Sequence, residues 1–125
     1  MKRSAAALVA HARGRIEHCD VHVANARLAA GDVVLVDVRE PDELASAGRI
    51  PGSLWVPRGT LEFRADPNDK RHQPGLEPDR RIVVHSGSGE RSALATATLC
   101  DMGYRYVADL EGGLTAWIRA GLPTV

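Results

Sequence analysis

Cysteine is almost absent from this chain: Cys19 and Cys100 are the only two in 125 residues. Two thiols build no disulfide framework, so stability has to come from an apolar core. Net charge is absent as well, with 16 Lys and Arg set against 16 Asp and Glu. That balance provides no global field to gather nucleic acid or an anionic membrane, so any anion binding is local. No apolar stretch approaches membrane-spanning length. Met1-Lys2-Arg3 followed by Ser4 to Ala10 has the outline of a secretory leader. The run is short and is broken by His11, Arg13 and Arg15, so it reads as a helix, and a cytoplasmic location is the default expectation. His11, His18 and Cys19 are too sparse for structural zinc, and no metal or organic cofactor is implied. There is no internal repeat and no low-complexity segment.

What is present suits one compact domain, with 44% hydrophobic residues. Ser4 to about Glu17 reads as helical, weakened by Gly14, and a second helix runs from about His22 to Ala30, closed by Gly31. Val33 to Val38 is a nearly continuous β-branched run, the pattern of a parallel strand buried on both faces. Pro41 fits the first turn of a short helix through Ala47, ended by Gly48. Ser53 to Val56 is a short strand stopped by Pro57, and Thr60 to Phe63 starts a further helix. Arg64 to Arg80, rich in Pro, Asp, Arg and Lys, reads as a surface excursion. Ile82 to His85 forms the next buried strand. Ser92 to Met102 is helical with Gly103 as its stop, Tyr104 to Leu110 is a strand, and Leu114 to Ala120 is a closing helix. Strands alternating with helices indicate an α/β domain with a central, mostly parallel sheet flanked by helices.

In such sheets ligands bind beyond the carboxyl ends of strands, which is where Ser86 falls. The segment Arg81-Ile-Val-Val-His-Ser-Gly-Ser-Gly-Glu-Arg-Ser92 reads as strand, tight loop and helix start. A loop of this kind aims N–H groups at an anion, the helix N-terminus adds a positive dipole end, and Arg91 offers a planar guanidinium. The candidate anion-binding loop is therefore Gly87, Ser88, Gly89, Glu90, Arg91 and Ser92, with Ser86 at its base.

The pattern Ser86, Gly89, Arg91, Ser92 resembles the active-site loop of the rhodanese-like sulfurtransferase family, Cys-x-x-Gly-x-Arg followed by a helix. Leu35-Val-Asp-Val-Arg-Glu-Pro-Asp-Glu-Leu44 is similar to that family's early strand and turn. Gly48-Arg-Ile-Pro-Gly-Ser53 is similar to its Gly-His-Ile-Pro-Gly signature, with Arg49 in place of His. Leu110-Glu-Gly-Gly-Leu-Thr-Ala-Trp117 and Gly121-Leu-Pro123 are similar to its C-terminal end. The resemblance spans about residues 20–125 and sets residues 1–19 apart as an N-terminal helical extension.

The resemblance implies a reaction. A loop cysteine, as thiolate, takes sulfane sulfur from a donor such as thiosulfate or a persulfide, becomes a persulfide itself, and passes the sulfur to cyanide or a thiol. The partners implied are a small sulfur-containing anion or persulfide donor and a thiol acceptor, without nucleic acid or membrane. Sulfur at position 86 is essential, and Ser86 supplies oxygen, which stores no persulfide. The scaffold is thus expected to be intact and the chain inactive as written. Ser86 is either a replacement for a catalytic cysteine or the natural residue of a non-catalytic module that binds an anion or a protein through the same face. Tyrosine phosphatases are the other chemistry with a Cys-to-Arg loop, but they hold five residues between the two, and here four intervene. The shorter loop and the acidic Glu90 disfavour a phosphoryl dianion.

Other residues carry competing readings. Arg91 has a structural alternative as the ion-pair partner of Asp37 or Glu111. Arg39 and Arg58 are candidate donors at the pocket rim, Arg39 with the competing role of fixing the strand end. His85 closes a strand and is read as packed or exposed rather than as a proton shuttle, Cys100 is expected to be a small buried hydrophobe, and Cys19 is read as incidental. Leu114 and Trp117 are assigned to the core, Trp55 to core or pocket wall, and Glu111-Gly112-Gly113 to a turn near the loop. Lys70, Arg71, Arg80 and Arg81 form a candidate contact for a protein partner.

Overall fold

The computed structural model describes all 125 residues. Five strands, β1 (Glu17–Cys19), β2 (Val34–Asp37), β3 (Leu54–Trp55), β4 (Arg81–His85) and β5 (Tyr106–Leu110), form one sheet in the order β1-β5-β4-β2-β3. Every pairing is parallel. The central strands read as unbroken apolar runs because helices cover both of their faces. Val36, Ile82 and Val84 are wholly buried on one side, with Leu35 and Val83 nearly so on the other.

The helices are α1 (Ala5–Arg13), α2 (Val21–Ala29), α3 (Pro41–Ala47), α4 (Leu61–Ala65), α5 (Glu90–Asp101) and α6 (Gly113–Arg119). One core lies between the sheet and α4 and α5, built from Val36, Val84, Leu61, Leu99 and their neighbours. The other lies on the opposite face around Trp117, Leu114, Ile50 and Ala24. Leu114 and Trp117 are therefore core, as expected, and Trp117 also donates its Nε1–H to the Pro123 carbonyl at 2.9 Å. No helix is long and apolar enough to cross a membrane.

Four expectations need correction. The N-terminal helix ends at Arg13, and Glu17-His18-Cys19 is a strand paired with Ala108 to Leu110. Cys19 is thus buried core rather than incidental sequence. The excursion after Arg64 is anchored, not merely superficial. Leu76 is fully buried, and the Tyr104 hydroxyl lies 2.8 Å from the Ala65 carbonyl and 2.9 Å from that of Leu76. Tyr104 itself precedes β5, which begins at Tyr106.

α1 packs on α5 through Val9 and Ala12 against Ala93 and Ala97, with Ile16 and Leu94 at the margin. Small residues on both helices allow close approach. Arg15 adds a bidentate pair to Asp101 at 2.9 and 3.0 Å. This packing carries the end of α1, and with it Arg13, to the loop between β4 and α5. A side chain at Gly89 would approach the Arg13 guanidinium to 3.7 Å.

Candidate active site

The parallel register places Asp37 beside His85 at the carboxyl ends of β2 and β4. Behind the loop the two belong to a buried polar cluster. Asp37 Oδ1 accepts from the Arg39 backbone N–H and from its Nε, both at 3.0 Å, and Oδ2 accepts from Arg39 Nη2 at 2.8 Å. Arg39 Nη2 also donates to the Gly48 carbonyl at 2.8 Å. Burial works to raise the Asp37 carboxyl, but the hydrogen bonds and charge of Arg39 outweigh it and leave it below its ordinary value. His85 is fully buried, 3.8 Å from Asp37, and burial lowers its own value, so it is packed and neutral. Arg39, at 1% exposure, anchors the strand end and is not a rim donor.

The loop itself is seated by α6. Ser86 and Gly87 carbonyls accept from the Leu114 and Thr115 backbone N–H groups at 2.9 and 3.0 Å. Gly113 makes this possible: at φ +59° it lies so close that a Cβ there would come within 2.7 Å of the Ser86 carbonyl oxygen. The Glu111-Gly112-Gly113 turn does border the loop. Gly89, at φ +102°, turns the chain into α5. The backbone N–H groups of Gly87, Ser88, Gly89, Glu90 and Arg91 then donate to no protein acceptor. Five successive free amides at the start of a twelve-residue helix form a local positive field on a chain without net charge.

Ser86 is fully buried beneath this loop, and its Oγ accepts from the Ser92 backbone N–H at 3.1 Å. Ser86 Oγ donates to Ser92 Oγ at 3.3 Å, and Ser92 Oγ donates to Asp109 Oδ1 at 2.5 Å. Ser88 Oγ donates to Glu90 Oε1 at 3.1 Å at the exposed side. Arg91 pairs with Glu43, on α3, rather than with Asp37 or Glu111. Its Nη2 donates to Glu43 Oε2 at 2.8 Å, and Nη1 donates to Oε1. The Arg91 hydrogen bonds hold the Glu43 carboxyl down at about 2. Glu43 also closes a capping box by accepting from the Glu40 N–H at 3.0 Å, which fixes it at the loop's edge. The ion pair lies against Gly87, where a Cβ would sit 3.3 Å from Arg91 Nη2 and 3.7 Å from Glu43 Oε2.

Arg58 takes no part in this arrangement. It donates to Glu62 at 2.9 Å and to Thr98 at 3.3 Å, and Thr98 lies well along α5 past the loop. Trp55 is partly buried and donates its Nε1–H to the Arg39 carbonyl at 2.9 Å, so it walls the buried cluster. Arg49, where the resemblance places His, reaches the Ser53 carbonyl at 3.2 Å. Burial raises the Cys19 and Cys100 thiols above their ordinary values, so neither is a ready thiolate. Cys100 is only partly buried. Glu43 and Asp109 escaped the sequence reading. Their signals were an acidic residue at the third position of a helix opened by Pro41, and a lone Asp in the apolar strand Val107 to Leu110.

Residues 20–120 match the sequence profile of the rhodanese-like domain. The chain belongs to the rhodanese-like family. A sulfurtransferase from Allochromatium vinosum is 42% identical over 94 residues, 75% of this chain and 79% of that one. Thiosulfate sulfurtransferase 16 of Arabidopsis thaliana is 37% identical over 108 residues, 83% of this chain and 88% of that one. A solved structure from Rhodopseudomonas palustris, of a protein of unknown function described as a possible tyrosine phosphatase, superposes with a TM-score of 0.93 at 40% identity. That likeness covers 100% of this chain and 96% of the other, so it includes α1, which the rhodanese-like profile does not.

Proposed function

We propose that the loop from Ser86 to Ser92 is a sulfurtransferase cradle for thiosulfate or a persulfide donor, with Ser at the position of the sulfur-bearing residue. The observation that carries this reading is the row of five unpartnered amides from Gly87 to Arg91, directly after residue 86 and at the N-terminus of α5. Such donors stabilise a sulfur anion or a bound sulfonate, and they would depress a thiol at position 86. With Cys there, the thiolate attacks the outer sulfur of thiosulfate. Sulfite leaves with the bonding pair, and the persulfide then gives its outer sulfur to cyanide or a thiol, regenerating the thiolate. With Ser86 the first bond has no counterpart, so the chain as written is expected to show no turnover. Anion binding competes with the Arg91–Glu43 pair at the loop edge.

The experiment is thiocyanate formation from thiosulfate and cyanide, comparing the chain as written with Ser86→Cys. Turnover only in Ser86→Cys is the expected result, at least about a thousand-fold above the Ser86 chain, as befits loss of an essential nucleophile. A folded Ser86→Cys protein without turnover would overturn the reading. Aryl phosphate serves as the second substrate. Four residues between positions 86 and 91 give a cradle shorter than the phosphatase loop, so no hydrolysis is expected from either protein. Thiosulfate binding without turnover in Ser86→Cys would favour an anion-binding module instead.

A further inference from the structure

Ser86, Ser92 and Asp109 form a buried row whose hydroxyl hydrogen bonds run in one direction, while the Ser92 backbone N–H donates back to Ser86 Oγ at 3.1 Å. All three are at most 3% exposed. Ser92 has a single hydroxyl hydrogen, and it is directed to Asp109 Oδ1 at 2.5 Å. Toward position 86, Ser92 Oγ therefore presents only lone pairs, and it accepts the Ser86 hydroxyl at 3.3 Å. The Ser92 hydroxyl asks residue 86 to be a donor, in opposition to the backbone N–H that Ser92 also offers it. A hydroxyl or a neutral thiol satisfies that demand, whereas a thiolate or a persulfide anion would face the lone pairs of Ser92 and, behind them, a carboxylate.

Several groups face Asp109. Ser92 reaches it from α5. His18, on β1, places Nδ1 3.8 Å from Oδ2, with its Nε2 within 3.0 Å of the Arg13 carbonyl. Arg13 from α1 and Glu111 from the turn after β5 add opposing charges. Burial is the largest influence and holds the carboxyl up at about 6, against the pull of Ser92, His18 and Arg13. Its two states thus interchange within an ordinary working range.

We propose that Asp109, acting through Ser92, is a positioning residue that sets the ionisation of whatever residue stands at position 86. As carboxylate it turns the Ser92 hydroxyl away and holds the pKa of a thiol at 86 above the value that the loop amides and the Ser92 N–H alone would set. As the neutral acid it donates to Ser92, which then donates to an anion at 86. This rests on the reading of position 86 as the sulfur-bearing site, although its test requires no sulfur donor.

The test is the titration of thiolate ultraviolet absorbance in full-length Ser86→Cys and in Ser86→Cys/Asp109→Asn. The chain as written, with the same Cys19 and Cys100, is the baseline. Asn is isosteric, carries no charge and can donate to Ser92. The pKa of the thiol introduced at position 86 is expected to fall by about one unit or more in the Asn variant, with a matching rise in alkylation rate at neutral pH. An unchanged or raised value would overturn the proposal. Should Asp109→Asn fail to fold, Ser86→Cys/Ser92→Ala supplies the same test: it removes the acceptor that favours the neutral thiol, and the pKa of that thiol is again expected to fall. A shift without thiosulfate turnover would leave Asp109 in its role and remove only the sulfurtransferase reading. Turnover without a shift would do the reverse.

Discussion

Asp37→Ala is expected to cost about 3–5 kcal/mol, because it leaves a fully buried guanidinium without its counter-charge. Arg39 is 1% exposed and directs two of its side-chain nitrogens, Nε and Nη2, at Asp37. Removing the carboxylate leaves only the Gly48 carbonyl as a side-chain acceptor. A domain of this size has about 5–15 kcal/mol in total, so the variant should sit close to its unfolding threshold. Urea unfolding would read the loss as a lower midpoint. Asp69→Ala is the control, since Arg71 pairs with Asp69 in the same bidentate manner but at the surface, and it should move the midpoint far less. The pH dependence follows from the sign of the shift. The folded value of Asp37 lies below its ordinary 3.8, so its contribution is fully present above that value and is lost as pH falls through the folded one.

Gly113→Ala is expected to cost about 2–4 kcal/mol, combining a left-handed backbone with forced displacement of packed atoms. The added Cβ would lie 2.7 Å from the Ser86 carbonyl oxygen, 2.8 Å from that of Gly87 and 3.0 Å from the Gly87 carbonyl carbon. All three are backbone atoms, so no side chain can rotate aside, and the loop must lift off α6. Gly103→Ala separates the two contributions: it too has a positive φ, +99°, but a Cβ there meets nothing within 4 Å. It should show the backbone cost alone. In a Ser86→Cys background, Gly113→Ala should also lower sulfur transfer steeply, whereas Gly103→Ala should leave it near the parent level.

The parts of this protein that were legible in its sequence share a physical cause. Val33 to Val38 and Ile82 to His85 lie in the middle of a parallel sheet, where burial on both faces leaves a continuous apolar run. The loop glycines were legible because a chain that turns tightly from strand into helix needs particular residues at fixed spacing. β1 was not legible. Glu17-His18-Cys19 has no β-branched residue, and its extended form comes from pairing with β5, a partner about ninety residues away. The partner of Arg91 was missed for a related reason. Asp37 and Glu111 flank the loop in the sequence pattern, but Asp37 is already saturated by Arg39, while α3 presents Glu43 at the loop edge. Arg58 was misplaced because a lone arginine after a strand gives no sign of the Glu62 one helical turn ahead that captures it.

Asp109 shows how a site can be incomplete when read from its motif. The loop motif names the residues of the turn, but not the strand residue to which the Ser92 hydroxyl is directed. Val84 and Asp109 are register partners on neighbouring strands, so the carboxylate is delivered beneath the loop by the sheet. Only the strand order β5-β4 brings the two segments together.

The proposed cradle lacks only its sulfur atom. Its most direct test is the intact mass of Ser86→Cys after incubation with thiosulfate, with peptide mapping of the modified residue. The expected result is a gain of one sulfur atom on the cysteine introduced at position 86, removed by cyanide, with Cys19 and Cys100 unmodified and no gain in the chain as written. A correctly folded Ser86→Cys protein that takes up no sulfur, or takes it up equally on Cys100, would contradict it.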